Sequence, residues 1–522
     1  MIKLQYYGQK ITQSSVFAYI VVAVSGLLTP FAFAPYRLYW LMPISLGVLV
    51  WFAFAKKTPI RLVYLWGFCA YVTQFYWVFI ALHSVAGLPV IYAAPLTALF
   101  ASYLALYPAL CFWLLHHLKA NKNIQLLVGF PLLWVITEYI REHALTGFGW
   151  GALGYSQISE SPLAGFAPLG GLYLVTLVVA FITALWVFIL RCKNFKISLC
   201  VLLCSFILIG LGAHLKQNNF TEPDGTTASI ALAQGNIPQT LKWQPEAVVP
   251  TIEQYYQQVA QTRADIMLLP ETALPLFQQD MVDALGQFAL VAQKNHMALA
   301  TGIARYTDDN MGYLNAVVSL ADYQAAEPLK QPYYAKNHLV PFGEYIPLPT
   351  ITSWLYRQMN MPLSGFTAGG AGQSPLKLAN QKIAFNICYE DAFGDELIAS
   401  AKQSSLLANV SNMAWYGNSY AMDQHLQLSQ TRALELGRFM VRSTNTGMTA
   451  IISPKGEIMA LAAPNTAQVL VGQIQGYQGE TPFMKLGGSL PLIGLCVLIL
   501  IGLYTYGFYR HRQKQVGVPD QL

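Results

Sequence analysis

The feature that most constrains this chain is a row of long apolar stretches, seven of them within the first 215 residues and an eighth close to the end. A membrane span needs roughly 20 mostly apolar residues. Candidates lie near residues 14–33, 38–55, 61–82, 88–117, 124–140, 164–190, 196–214 and 487–508, with Pro30 and Pro35 interrupting the first two. Such stretches become helices in lipid, because every backbone polar group must find its partner within its own segment. Only 11% of the 522 residues are charged, against about 25% in a soluble globular chain. The composition therefore excludes an ordinary soluble protein. No lysine- or arginine-rich run suggests nucleic acid as a partner.

The loops between the stretches give an orientation. Lys3 and Lys10 precede the first, Lys56, Lys57 and Arg61 follow the second, and Lys119 and Lys122 follow the fourth. Arg191, Lys193 and Lys196 follow the sixth, and Arg510, Arg512 and Lys514 follow the eighth, whereas the intervening LHSVAGLP has no lysine or arginine. Lysine and arginine collect on the cytoplasmic side. The expectation is eight spans with both termini in the cytoplasm: a bundle of about seven helices over 1–215, an outer domain over 216–485, a last helix over 486–510 and a cytoplasmic tail over 511–522. In a bacterium the outer domain faces the periplasm from the inner membrane. Ala32-Phe33-Ala34 resembles a signal-peptide cleavage site, but Pro35 directly after it disfavours cleavage, and the stretch is read as retained.

From about Lys216 the texture changes. ASIALAQGNI, ADIMLLPE, MALATGIARY, NAVVSLAD, KIAFNICYE, SLLANVSN and MTAIISPKGEIMAL read as short strands. Helical patterns lie between them, near 247–263, 279–294, 393–404 and 420–436. Strands alternating with helices predict an α/β layered domain.

Six of the seven cysteines lie in or beside apolar stretches, and Cys388 alone belongs to the polar region. It ends the strand KIAFNI, with a helix to follow. Such a junction exposes a side chain beside free backbone N–H groups, as a nucleophile requires; a buried, inert thiol is the competing reading. A thiol needs a proton acceptor or a cation to react as thiolate at neutral pH. Glu271, Lys336, Glu344, Glu390 and Asp391 are available, though a lone carboxylate or lysine at a strand end is more often a surface group. No zinc-type Cys/His spacing points to a metal. Gly149, Gly151 and Gly154 spell G-x-G-x-x-G with no strand before them, so dinucleotide binding is rejected. His338 and His425 could pair with Cys388, but nothing in their spacing favours it.

The segments LLPETALP, KNHLVPFGEY and NICYEDAF resemble the three catalytic segments of the nitrilase superfamily. That resemblance implies a Glu–Lys–Cys triad on a four-layer αββα sandwich. The longer segments QGNIPQTLKW, YAKNHLVPFGEYIP, SNMAWYGNSYAMDQH and TRALELGRFMVRSTNTG, with LTGFGWGALGYSQ in the apolar half, resemble the bacterial apolipoprotein N-acyltransferases. This second resemblance implies that Cys388 takes an acyl chain from a phospholipid as a thioester and passes it to the α-amino group of a diacylglyceryl-cysteine apolipoprotein. Glu271 is then the general base and Lys336 the oxyanion donor, with Glu344 and Glu390 in support and Trp243, Tyr389 and Trp415 along the substrate walls. No cofactor, ATP or metal is implied, and a monomer is expected. A membrane-tethered amidase shares the triad but needs no eight spans. A transporter would carry more charge within its spans than Glu138 alone. Because both substrates are lipids, the site is expected to open sideways to the bilayer beneath a lid at Tyr356–Phe366, with Met359, Met361, Leu363 and Phe366 as its apolar residues.

Overall fold

The computed structural model describes residues 15–55, 59–158, 160–359 and 365–515. Lys3, Lys10, Lys56, Lys57, Met361, Leu363 and the tail beyond residue 515 lie outside the described residues. The chain forms two compact units, one of residues 1–76, 95–218 and 489–522, the other of residues 77–94 and 219–488.

An apolar helix lies at each place read as a candidate span, most of them in the first unit. Six are long and apolar enough to cross a membrane: Ser15–Ala32, Val90–His117, Lys122–His143, Pro162–Arg191, Phe195–Gln217 and Leu490–Tyr509. Leu41–Ala55 is shorter. The stretch expected over 61–82 is not one straight helix: Pro59–Gln74 and Trp77–Val85 meet at 50°. The break falls where the chain passes from the first unit to the second, whose Tyr416 ring meets Trp77 edge-on at 4.6 Å. Helix Phe195–Gln217 is apolar all round and leaves Leu203, Phe206 and Ile207 more than half exposed, as a lipid-facing helix does. Its Gly212 meets the turn at Gly165 so closely that a Cβ on Gly165 would stand 2.1 Å from the Gly212 carbonyl oxygen. Small residues allow such backbone approach between membrane helices.

Glu138, the charge noted within a span, is buried in this unit. Its carboxylate accepts from the Leu153 N–H at 2.9 Å, Trp134 Nε1 at 3.1 Å and Thr176 Oγ1 at 3.2 Å. The glycine motif is thereby accounted for: it is a packed turn, held through Leu153 and through the Gly154 N–H on Thr176 Oγ1 at 3.0 Å. Ala32, Phe33 and Ala34, the residues resembling a cleavage site, are buried.

The second unit is built on two sheets. One is seven-stranded, with the order β13-β1-β2-β4-β5-β6 and β3 beside β4; the other is six-stranded, β12-β11-β10-β9-β8-β7. The strands are β1 (Glu222–Gln234), β2 (Ile266–Leu268), β3 (Leu274–Phe277), β4 (Ala298–Tyr306), β5 (Tyr313–Ser319), β6 (Tyr333–Ala335), β7 (Leu376–Leu378), β8 (Gln381–Ile387), β9 (Leu406–Ser411), β10 (Met440–Thr444), β11 (Ala450–Ile452), β12 (Ile458–Leu461) and β13 (Gln468–Gln478). Side chains alternate between the two faces of a strand, and the cores follow. Ile230, Leu232, Ile266 and Leu268 join Ile383, Phe385, Leu406, Ala408 and Val441 in one core shared by both sheets. Their neighbours Ala231, Ala233, Met267 and Leu269 pack instead with Tyr255, Leu285 and Phe288 of the helices Pro245–Gln261 and Val282–Lys294. On the other sheet Ala384, Leu407 and Met440 pack with Leu397, Leu426 and Ala433 of the helices Gly394–Ala401 and Tyr420–Leu436.

The strand segments read from the sequence lie on β1, β2, β4, β5, β8, β9, β11 and β12. The very short β6 and β7 carry too little alternation to stand out, and β10 is buried along its whole length and carries no polar–apolar alternation.

Candidate active site

Three strand ends bring the expected triad together. β2 and β4 run parallel, and β5 is antiparallel to both β4 and β6, so β2 and β6 point the same way. Glu271 follows β2, Lys336 follows β6, and Cys388 follows β8 of the other sheet. Lys336 is 1% exposed, with its Nζ 2.9 Å from Glu344 Oε2 and 3.7 Å from Glu271 Oε1. Burial alone would push its ammonium down, but the Glu344 and Glu271 carboxylates outweigh this and hold it charged.

Asn315 ties these groups together, and the sequence reading missed it. Its carbonyl accepts the Lys336 N–H at 2.8 Å, while its Nδ2 donates to Glu271 Oε1 at 2.7 Å and to Glu344 Oε1 at 3.0 Å. The available signal was an amide in the middle of the buried strand YLNAVVS, since buried polar side chains are almost always hydrogen-bonded.

Among the described residues the Glu390 side chain hydrogen-bonds neither Lys336 nor Cys388, yet it links their segments. Its Oε1 accepts the Asn337 and His338 N–H groups at 2.7 and 3.1 Å, and its Oε2 accepts the Ile387 N–H at 2.6 Å and the Tyr334 hydroxyl at 2.9 Å. Burial pushes this carboxyl up to about 6, against the pull of the backbone donors.

Cys388 has a left-handed backbone, with φ 55°, which is uncommon for a residue with a Cβ. Its carbonyl is pinned by His425 Nε2 at 2.9 Å and Asn409 Nδ2 at 3.2 Å. The other ring nitrogen of His425 accepts from Arg442 Nη2 at 2.9 Å, and Arg442 in turn pairs with Asp391 at 3.0 Å. Burial and the Arg442 charge hold His425 far below its usual value, so the imidazole is neutral. It steadies the backbone of Cys388, with Nε2 on the Cys388 carbonyl and Nδ1 toward Arg442. Burial, then the Glu271 charge, raise the Cys388 thiol, while Lys336 and the Asn412 N–H lower it less. The resting group is therefore a thiol.

The expected substrate walls lie around these elements. Trp243 is half-buried and directly follows Lys242, whose Nζ meets the Glu271 carbonyl at 3.2 Å. Tyr389 is buried between the rings of His338 and Phe393, at 5.8 and 5.1 Å. Trp415 is half-buried on the turn Met413–Tyr416, close after Asn412. Tyr416, not singled out from the sequence, is raised by burial and then by the Cys388 charge. Of the expected lid, the Gly365 and Phe366 N–H groups bond the Glu344 carbonyl at 2.8 and 2.9 Å, and the Phe366 ring packs edge-on against Tyr313 at 4.8 Å. Among the described residues no group of three or more His, Cys, Asp or Glu is placed to hold a metal ion.

Comparison with known proteins gives this geometry a context. Residues 229–483 match the family described as carbon-nitrogen hydrolase, and residues 25–185 match the apolipoprotein N-acyltransferase N-terminal domain. The chain is 55% identical over 489 residues to the apolipoprotein N-acyltransferase of Neisseria meningitidis serogroup B, covering 92% of this chain and 95% of that one. It is 52% identical over 498 residues to the apolipoprotein N-acyltransferase of Chromobacterium violaceum, covering 95% of each. Among solved structures, the carbon-nitrogen hydrolase from Helicobacter pylori overlays on 50% of this chain and 92% of its own at 14% identity, with a TM-score of 0.36.

Proposed function

From a chain that belongs to the apolipoprotein N-acyltransferase family, we propose an enzyme that moves a fatty acyl chain from a phospholipid to the N-terminal amine of a diacylglyceryl-cysteine apolipoprotein, through a thioester on Cys388. The observation that carries this reading is the meeting of a buried ammonium, an open carboxylate and a left-handed cysteine at three strand ends.

In the first half-reaction Glu271 takes the thiol proton as Sγ attacks the ester carbonyl. Lys336 holds the developing oxyanion, a donor of the kind worth about 3–4 kcal/mol. The C–O bond breaks, the proton returns to the leaving oxygen, and lysophospholipid departs. In the second, the acceptor amine attacks the thioester, Glu271 takes its proton, and the C–S bond breaks to restore the thiol. Two half-reactions on one nucleophile make the kinetics ping-pong. Aminolysis of a thioester runs downhill, so the cycle needs neither ATP nor a metal. Glu344 keeps Lys336 charged, Glu390 aligns the Lys336 and Cys388 segments, and Trp243, Tyr389 and Trp415 line the substrate path.

The three cores support reading the catalytic unit as a four-layer αββα sandwich. The basic loops support eight spans, counting Leu41–Ala55 and the bent pair as one each. They also support a periplasmic catalytic domain over 216–485, cytoplasmic termini, and residence in a bacterial inner membrane. The enzyme acts as a monomer.

Mass spectrometry of the Cys388 peptide, taken from protein incubated with phospholipid vesicles, tests the reading. An acyl adduct is expected that disappears when a diacylglyceryl-cysteine peptide is added, with the acyl group then found on the peptide amine. An unmodified Cys388 in protein that still transfers acyl groups overturns it.

A further inference from the structure

A second lysine lies buried beside the triad with no part in the chemistry above. Lys242 ends the short helix Gln239–Lys242 and is 1% exposed. A buried ammonium is ordinarily paired with a carboxylate, yet among the described residues no carboxylate lies within ion-pair distance of Lys242. Its Nζ instead donates to Thr272 Oγ1 at 2.6 Å and to the Glu271 carbonyl oxygen at 3.2 Å.

Both acceptors belong to the turn that carries Glu271. Thr272 has φ 43°, a left-handed backbone that a β-branched residue keeps only when its surroundings hold it there. From below, the turn rests on Gly302, where an added Cβ would come within 2.2 Å of the Pro270 carbonyl oxygen and 2.8 Å of the Glu271 Cα. From the side, Lys242 grips the peptide between Glu271 and Thr272. Among the described residues the far end of Glu271 is held only by Asn315 Nδ2, at 2.7 Å, with Lys336 at 3.7 Å. The aim of the carboxylate is therefore set by its backbone.

We propose that Lys242 is a positioning residue for the acyl transfer, its buried ammonium clamping the Glu271–Thr272 turn so that the Glu271 carboxylate points at the Cys388 thiol. Burial brings Lys242 down to about 8, against the pull of the Glu271 charge, so near neutral pH the clamp is an ammonium. Lys242 touches no reacting atom and acts through Glu271. The inference thus rests on Glu271 being the base.

The test is the rate at which iodoacetamide alkylates Cys388 in the full-length protein, read on the Cys388 peptide. This small reagent needs proton removal but no lipid site. Glu271→Gln is expected to slow alkylation at least tenfold, and Lys242→Met, similar in volume but uncharged, to slow it by roughly tenfold, the scale of a lost charged hydrogen bond. The double variant Lys242→Met/Glu271→Gln is expected to be no slower than Glu271→Gln alone, because groups acting through one another are not additive. Thr272→Val, which removes one acceptor and leaves the lysine, should slow alkylation severalfold with the same non-additivity, and it decides the matter if Lys242→Met does not fold. Wild-type alkylation in the folded variants, or slowing that multiplies with that of Glu271→Gln, overturns the clamp. Wild-type alkylation in Glu271→Gln overturns the base assignment instead.

Discussion

Each unit of the molecule buries glutamates, and one from each, Glu138 and Glu271, are partnered in opposite ways. Glu138 in the membrane unit is saturated, with Leu153, Trp134 and Thr176 all donating to it. Glu271 in the second unit accepts, among the described residues, one hydrogen bond, from Asn315, and has Lys336 at 3.7 Å, just beyond hydrogen-bond reach. A carboxylate has about four acceptor sites. Filled, they tie a turn to a helix; left open, they are free to take a proton. Burial in itself says nothing about catalysis. What distinguishes the two groups is how many of their acceptor sites the fold has already occupied.

That contrast is open to attack in three places. The largest effect is expected from Lys336→Ala. It leaves the Glu271 and Glu344 carboxylates facing each other with no cation, and stranding one side of a buried ion pair costs about 3–5 kcal/mol. On the proposed mechanism, loss of the oxyanion donor takes a further hundred- to thousandfold from the rate, on the order of magnitude seen for such donors. Thermal unfolding and the single-turnover rate of Cys388 acylation check the two parts separately. An acylation rate within tenfold of wild type in folded protein would remove Lys336 from the chemistry.

Glu390 offers a middle case, because it is saturated and yet sits between the catalytic segments. Its folded value of about 6 lies above its ordinary 4.5, so the folded chain holds this proton more tightly than the unfolded chain does. Stability from this group is present below about pH 4.5 and is lost as pH rises through about 6. It amounts to about 2 kcal/mol, at 1.36 kcal/mol for each pH unit of difference. Activity should run the other way, falling as pH drops through about 6, when the carboxylate that aligns four donors is neutralised. Glu390→Gln should remove both limbs and slow acylation by on the order of a hundredfold, since a side-chain NH₂ would then face N–H or O–H donors. Rate and melting temperature measured from pH 4.5 to 7.5 check this; parallel rather than opposed limbs would show that another group governs the acid side.

The smallest effect is expected from Glu138→Gln. The amide keeps a carbonyl oxygen for the Leu153 N–H and loses only charge assistance, a change of about 1 kcal/mol. The variant should melt slightly earlier and acylate at the wild-type rate once folded. A slowed rate in fully folded protein would break the distinction between the saturated and the open carboxylate.

Much of this site was legible in the chain. Cys388 stood out as the one cysteine away from apolar stretches, and the segments around Glu271 and Lys336 resemble those of a known superfamily. The pairing within the site was not legible. Glu344 lies nearer to Lys336 than Glu271 does, and both carboxylates hang on Asn315, which is 44 residues from Glu271 in the chain. His425 stood as a rival base, yet its ring bonds the Cys388 carbonyl through Nε2 and faces Arg442 through Nδ1. Lys242 passed unnoticed within QGNIPQTLKW because a lysine beside a tryptophan reads as a surface group.

What the sequence alone determined is what local chemistry imposes: where apolar helices form, that strands and helices alternate in the second unit, and which side chains have the chemistry to react. Hydropathy and alternation are properties of neighbours in the chain, so they survive without a fold. Only the tertiary structure decided how the reactive groups are partnered. Hydrogen bonds and ion pairs depend on directions over about three ångströms, and those directions exist only once β2, β6 and β8 have brought their ends together. The same applies to the 50° bend between Pro59–Gln74 and Trp77–Val85, which the unbroken apolar stretch does not announce.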